Sequence, residues 1–192
     1  MTAADLIATS AFHDGKCAQA FPFFGVERRG APVEAFARID TKPIRTRIQV
    51  YCPNFVLILD ETLLDAIDPV CGCSQKTTVI INTLKTPAEL KKQHPCFKNV
   101  RLKTLPATQI ALKTLGKPII NTVMLGAFAC ISNLIKPESL KKAIQERFKG
   151  ELAKKNILAM NAAYCSSDGK AEYCQKIKNV KLDMNQKFAV ST

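Results

Sequence analysis

Glu27, Arg28 and Arg29 stand side by side in the segment FGVERRG, fenced by Gly25 and Gly30. Two adjacent guanidinium groups offer forked, bidentate bonds to a phosphate or a carboxylate, a geometry that lysine does not match. Glu27 can pair with one arginine and hold it in place. The two glycines permit a tight loop or a close backbone approach. A surface turn with a partial ion pair of little energetic worth satisfies the same residue types. On residue types alone the two readings weigh equally.

Three further short stretches carry polar groups where a ligand would need them. They are Asp60-Glu61-Thr62, Asn82-Thr83 and Asn121-Thr122, and each follows an apolar run and precedes a helical pattern. Helix starts present unpaired N–H groups and positive potential to an anion. Simple helix capping is the plainer use of the same residues. The two histidines, His13 and His94, lie far apart in sequence. His13 is expected to end a helix and His94 to sit in a loop. The chain has no P-loop, G-x-G-x-x-G, H-E-x-x-H or G-x-S-x-G motif. A self-contained catalytic set is therefore not expected, and a binding or subunit role is.

There are eight cysteines, and no two form a C-x-x-C pair. Cys71-Gly72-Cys73 is a lone C-x-C. Structural zinc and iron–sulfur sites use tighter paired spacing, so free buried thiols in a reducing compartment are expected. A redox or metal role for Cys71 and Cys73 is the alternative. The chain has 192 residues, 47% hydrophobic and 23% charged, with a formal charge of +12. That length suits one domain that buries its own core. A basic surface attracts anions of many kinds, but the lysines are spread along the chain and do not mark a nucleic-acid face. No signal peptide is visible at the start. The longest apolar stretch, residues 119–135, is broken by polar residues and falls short of the ~20 residues of a spanning helix. A cytoplasmic protein with no membrane segment and no nucleic-acid partner is expected.

The elements that must position these residues follow from periodicity. Residues 2–12 read as a helix, with Asp14-Gly15 as its terminating turn. Residues 17–23 and 33–39 read as strands, the second with clean alternation, and residues 44–50 as a further strand. From residue 55 the pattern becomes short apolar runs alternating with helical stretches. FVLILD, TTVIINT, VRLKTLPA and KPIIN are read as strands, the runs being typical of a sheet buried on both faces. Helices are predicted near residues 61–67, 87–93, 106–115, 123–135, 137–148 and 153–164. Residues 166–192 are polar and lysine-rich and are expected to form a tail. The pattern predicts an α/β fold with a largely parallel sheet flanked by helices and followed by C-terminal helices. Ligands of such sheets sit beyond the carboxyl ends of the strands.

The segment CAQAFPFFGVERRGAPVEAFARI resembles the gamma subunits of pyruvate:ferredoxin oxidoreductases (pyruvate synthases), within the 2-oxoacid:acceptor oxidoreductases. The likeness continues through KPIRTRIQVY, PNFVLILDETLL, VIINT, ATQIALKTLGKPIINTVMLGAFA and PESLKKAIQERF, in order, across about residues 2–164. The resemblance implies a complex that oxidises pyruvate with coenzyme A to acetyl-CoA and CO2 while reducing ferredoxin, or runs in reverse. It implies thiamine diphosphate, Mg and [4Fe-4S] clusters on alpha, beta and delta subunits, with none of these held by the gamma chain alone. The gamma chain is then a cover and assembly subunit, spanning residues 1–165. Gly25, Glu27, Arg28, Arg29 and Gly30, with Asn82, Thr83 and Asn121, are the expected contacts to coenzyme A or to a neighbouring subunit. A stand-alone basic module for phosphorylated ligands or RNA is the competing reading. One departure stands out: family members begin with a strand and a G-x-G-G-Q-G loop before the T-A-A-x-L-L helix, whereas this chain starts at MTAADLIATSAF. The first strand of the family fold is therefore expected to be missing, leaving a sheet edge exposed.

Overall fold

The computed structural model describes residues 2–23 and 33–167. Helix α1 (Thr2–His13) buries Leu6, Ile7 and Ala11 and ends at a turn where Gly15 adopts φ 75°. Strands β1 (Cys17–Phe23) and β2 (Glu34–Asp40) form an antiparallel hairpin, with Cys17 opposite Asp40 and Phe23 opposite Glu34. Phe21 and Phe36 face each other across it at 5.6 Å between ring centres, a cross-strand aromatic pair of the kind that fixes register. The hairpin is its own two-stranded sheet.

A second sheet is parallel throughout, in the order β3 (Phe55–Ile58), β4 (Thr78–Asn82), β5 (Arg101–Leu105). Central β4 shows why its sequence is a continuous apolar run. Ile80 enters a core formed with the C-terminal helices, while Val79 and Ile81 enter a separate core with Leu90 and Phe97. Side chains alternate between faces, and here both faces are dry. Helix α2 (Pro87–Gln93) begins with a complete capping box, Thr86 and Glu89 each bonding the other's backbone N–H. Helices α3 (Ala107–Leu115), α4 (Asn121–Ser132), α5 (Pro137–Arg147) and α6 (Gly150–Ser166) follow. Helix α4 is buried from Thr122 to Cys130, which accounts for its nearly uninterrupted apolar sequence. Asp14 ties the turn after α1 to the start of α5: its carboxylate accepts from Ser139 Oγ at 2.6 Å and from the Lys136 N–H at 2.8 Å.

Two expected strands are absent. Residues 44–50 pair with no strand; Ile48 is 61% exposed, so no burial rewards an extended ladder there. Arg38 instead donates to the carbonyls of Ile48 and Gln49. KPIIN likewise forms no strand. Pro118 has no N–H to give, the Ile119 N–H folds back to Lys117 O at 2.8 Å, and Gly116 has turned the chain with φ 69°. The segment is a tight link between α3 and α4. Helix α4 also stops three residues short of the expected end, because Asn133 takes a left-handed φ of 53° and caps it.

Candidate functional site

The carboxyl ends of β3, β4 and β5 converge on one edge of the parallel sheet. Asp60 and Glu61 leave β3, Asn82 and Thr83 end β4, and Pro106 to Thr108 lead from β5 into α3. Asp60 caps the short 3-10 turn Glu61–Asp65, accepting from the Thr62 N–H at 3.0 Å and its hydroxyl at 2.8 Å. Glu61 is thereby aimed across the edge at β4. One of its oxygens meets Lys85 Nζ at 2.5 Å and the other accepts the hydroxyl of buried Thr83. Thr83 Oγ1 in turn accepts the Lys85 N–H at 3.1 Å, and Lys85 Nζ also donates to Gln93 at 2.8 Å. The Lys85 ammonium beside Glu61, then the Thr83 hydroxyl, hold its carboxyl below the usual carboxylate range, against a smaller opposing effect of burial.

Asn82 acts on three elements. Its Nδ2 donates to Leu59 O and to Thr108 Oγ1, each at 2.9 Å, and its Oδ1 accepts the Thr108 N–H at 3.1 Å. Pro106 stands at the N-cap of α3 and offers no side-chain cap, so Asn82 caps that helix from the neighbouring strand. Together Glu61, Lys85, Asn82 and Thr108 bolt the ends of all three strands to the helices that follow. A recess of about 250 Å³ opens beside them, lined by Glu61, Thr62, Asp65, Lys85 and His94.

Asn82 and Thr83 thus lie together where a ligand of such a sheet would sit, with their side chains engaged by protein partners. Asn121 occupies the first turn of α4, and among the described residues no hydrogen bond joins it to Asn82 or Thr83. Its neighbour Thr122 instead donates to Asn156 of α6 at 2.9 Å. Gly25, Glu27, Arg28, Arg29 and Gly30, and the tail beyond residue 167, lie outside the described residues. Lys85 and His94 were not among the expected contacts. A lysine three residues past the β4 end, with an acid just past the β3 end, was the available signal for the first of them. His13 ends α1, as expected, and meets Glu146 at 3.0 Å.

Glu61→Gln should cost about 1 kcal/mol of stability at neutral pH, the range for a part-exposed charged hydrogen bond after solvent screening. The folded-state carboxyl lies below its ordinary value near 4.5, so this contribution is complete above that value and fades as pH falls through the lowered one. Urea unfolding of both proteins as a function of pH should show the gap between them closing on the acid side.

The whole matched region resembles proteins of one kind. Residues 1–166 match the family described as pyruvate ferredoxin/flavodoxin oxidoreductase. The chain belongs to that family. Among curated oxidoreductase relatives, it is 49% identical over 164 residues to pyruvate synthase subunit PorC of Methanothermobacter marburgensis, covering 85% of this chain and 88% of that one. It is 51% identical over 168 residues to the pyruvate/ketoisovalerate oxidoreductases common subunit gamma of Pyrococcus furiosus, again covering 85% and 88%. The fold is similar to the crystal structure of pyruvate oxidoreductase subunit PORC of Thermotoga maritima, with a TM-score of 0.73, 33% identity, and coverage of 85% of this chain and 86% of that one. These relatives are named as subunits of oxidoreductases. Nothing in these comparisons supports a stand-alone binding module.

Among the described residues, no group of three or more His, Cys, Asp or Glu side chains converges to hold a metal ion. No helix of the described residues is long and apolar enough to cross a membrane.

Proposed function

We infer that this chain is the gamma subunit of a multi-subunit pyruvate:ferredoxin oxidoreductase, in which pyruvate, coenzyme A and oxidised ferredoxin give acetyl-CoA, CO2 and reduced ferredoxin. One observation carries the reading: identity near 50% across 85% of the chain to proteins named as subunits of pyruvate synthases and pyruvate/ketoisovalerate oxidoreductases. Alpha, beta and delta subunits are its partners, and thiamine diphosphate, Mg and the [4Fe-4S] clusters reside on them. The complex works in the cytoplasm and delivers its electrons to ferredoxin. The gamma chain contributes assembly and a cover over the region where coenzyme A binds.

The arginine loop carries the contact in this reading. Arg28 or Arg29 meets a phosphate of coenzyme A or a carboxylate of the next subunit, with Glu27 orienting the pair and Gly25 and Gly30 allowing close approach. Asn82, Thr83 and Asn121 belong to the same proposed surface. Its supports are the guanidinium chemistry and the position of Asn82 and Thr83 at the carboxyl edge of the sheet. The Arg28→Ala, Arg29→Ala double variant in the reconstituted complex should raise the apparent KM for coenzyme A about tenfold, or weaken assembly by a similar factor, the size expected for one lost charged hydrogen bond. Unchanged assembly and unchanged KM would remove the loop from the account.

A second test addresses the partners. An affinity tag on the full chain should retrieve thiamine- and cluster-bearing subunits from the native cell. A monomer that binds nucleic acid with steep salt dependence would favour the competing module instead.

A further inference from the structure

The opposite end of the parallel sheet carries three cysteines that the oxidoreductase reading does not use. Cys52 lies three residues before β3, and the loop containing Cys71-Gly72-Cys73 precedes β4. This loop is built by turns: the Cys71 N–H reaches Asp68 O at 3.4 Å and the Cys73 N–H reaches Val70 O at 2.9 Å. It is pinned to the strand before it, since Thr77 donates to Pro53 O at 2.8 Å and the Thr78 N–H to Asn54 O at 2.9 Å.

Gly72 sits at the point of contact. Its φ is 76°, and a Cβ there would fall inside the Tyr51 carbonyl oxygen and 4.0 Å from the Cys52 N. Only glycine allows this approach. Its effect is to lay the C-x-C loop flush against the Tyr51-Cys52 backbone. Cys52 and Cys71 are exposed and Cys73 is half-buried.

We propose that Cys52 and Cys71 form a peroxide-oxidisable dithiol, closing to an intramolecular disulfide that clamps the C-x-C loop onto the segment leading into β3. Cys73 stays a thiol. Burial pushes its thiol up, with only partial relief from a hydrogen bond to Thr77, and a smaller thiolate fraction reacts more slowly.

The chemistry balances with hydrogen peroxide as oxidant. One thiolate attacks a peroxide oxygen, the O–O bond breaks and hydroxide leaves, giving a sulfenic acid. The second thiolate attacks that sulfur, the S–S bond forms, the S–O bond breaks and a second hydroxide leaves. Two thiols and one hydrogen peroxide become one disulfide and two waters, and two electrons pass from sulfur to peroxide.

The sequence makes the test direct, because no lysine or arginine lies between Arg47 and Lys76. All three thiols therefore share one tryptic peptide, residues 48–76. The reduced full chain is treated with hydrogen peroxide, quenched, alkylated and digested. The peptide should take up one alkyl group, on Cys73, where the reduced control takes up three. Cleavage at the intervening acidic residues Asp60, Glu61, Asp65 and Asp68 should leave the Cys52 and Cys71 fragments joined until a reductant is added. Cys52→Ser should restore alkylation at both Cys71 and Cys73. Three alkyl groups after peroxide, separate sulfinic acids, or a link between any other pair of cysteines would overturn the proposal.

Discussion

Gly126→Ala should destabilise the protein by about 3 kcal/mol, the upper part of the range for forcing extra volume into a packed core. Gly126 lies mid-way along α4, where its neighbour is the backbone of α6. An added Cβ would overlap Met160 O, lie 2.9 Å from Met160 C and 3.1 Å from Met160 Cα. One turn earlier on both helices, Thr122 donates to Asn156 at 2.9 Å. Two contacts four residues apart on each helix mean that α4 and α6 run side by side in the same direction, locked in register. Ala normally improves a helix interior by about 1 kcal/mol over Gly. The overlap outweighs that gain, because the obstacle is main chain and the helices must separate. Separation would also stretch the Thr122–Asn156 bond, whose members are both buried. Met160→Gly in the same background should not restore stability, since the clashing atoms remain. Urea midpoints of the three proteins check both points; a Gly126→Ala midpoint equal to the wild type would contradict the close contact.

Phe97→Ala should cost about 4 kcal/mol, within the usual range for a fully buried phenylalanine. Phe97 is wholly inaccessible and anchors the second core with Val79, Ile81, Leu90 and Leu102. Its ring also meets His94 edge-on at 6.2 Å between centres, and His94 lines the recess at the carboxyl edge of the sheet. The loss should therefore appear first in α2 and the turn after it. Hydrogen exchange should show lost protection at the Leu90 and His94 amides, which bond Thr86 O and Leu90 O, before the α4–α6 core opens. Phe97→Leu, which fills most of the volume, should cost less than half as much. Equal loss of protection in both cores would show that the two faces of the sheet unfold as one unit.

The sequence made these cores legible wherever a local rule sufficed. The unbroken apolar run of β4 marks a strand buried on both faces, and the helical stretch at residues 87–93 forms α2; both stand as read. Residues 44–50 alternate like a strand, yet Ile48 is exposed to solvent and Arg38 takes the carbonyls of Ile48 and Gln49. KPIIN misled because a short apolar run beside a proline does not distinguish a strand from a tight link. The site was legible only as a place. Asn82 was visible as a polar residue at a strand end, but its bond to the Thr108 N–H spans 26 residues. The Glu61–Lys85 pair spans 24 positions and depends on β3 and β4 pairing in parallel. Periodicity carries no information about such partners. The arginine loop is the reverse case, conspicuous in residue type and carried forward on chemistry alone.

The most direct measurement of the central claim is reconstitution of the complex from separately purified subunits, with and without this chain. Coenzyme A-dependent oxidation of pyruvate, followed by ferredoxin reduction, is predicted to require it and to fall at least tenfold when it is left out. Full activity without the chain, or a chain that never enters the complex, would contradict the account.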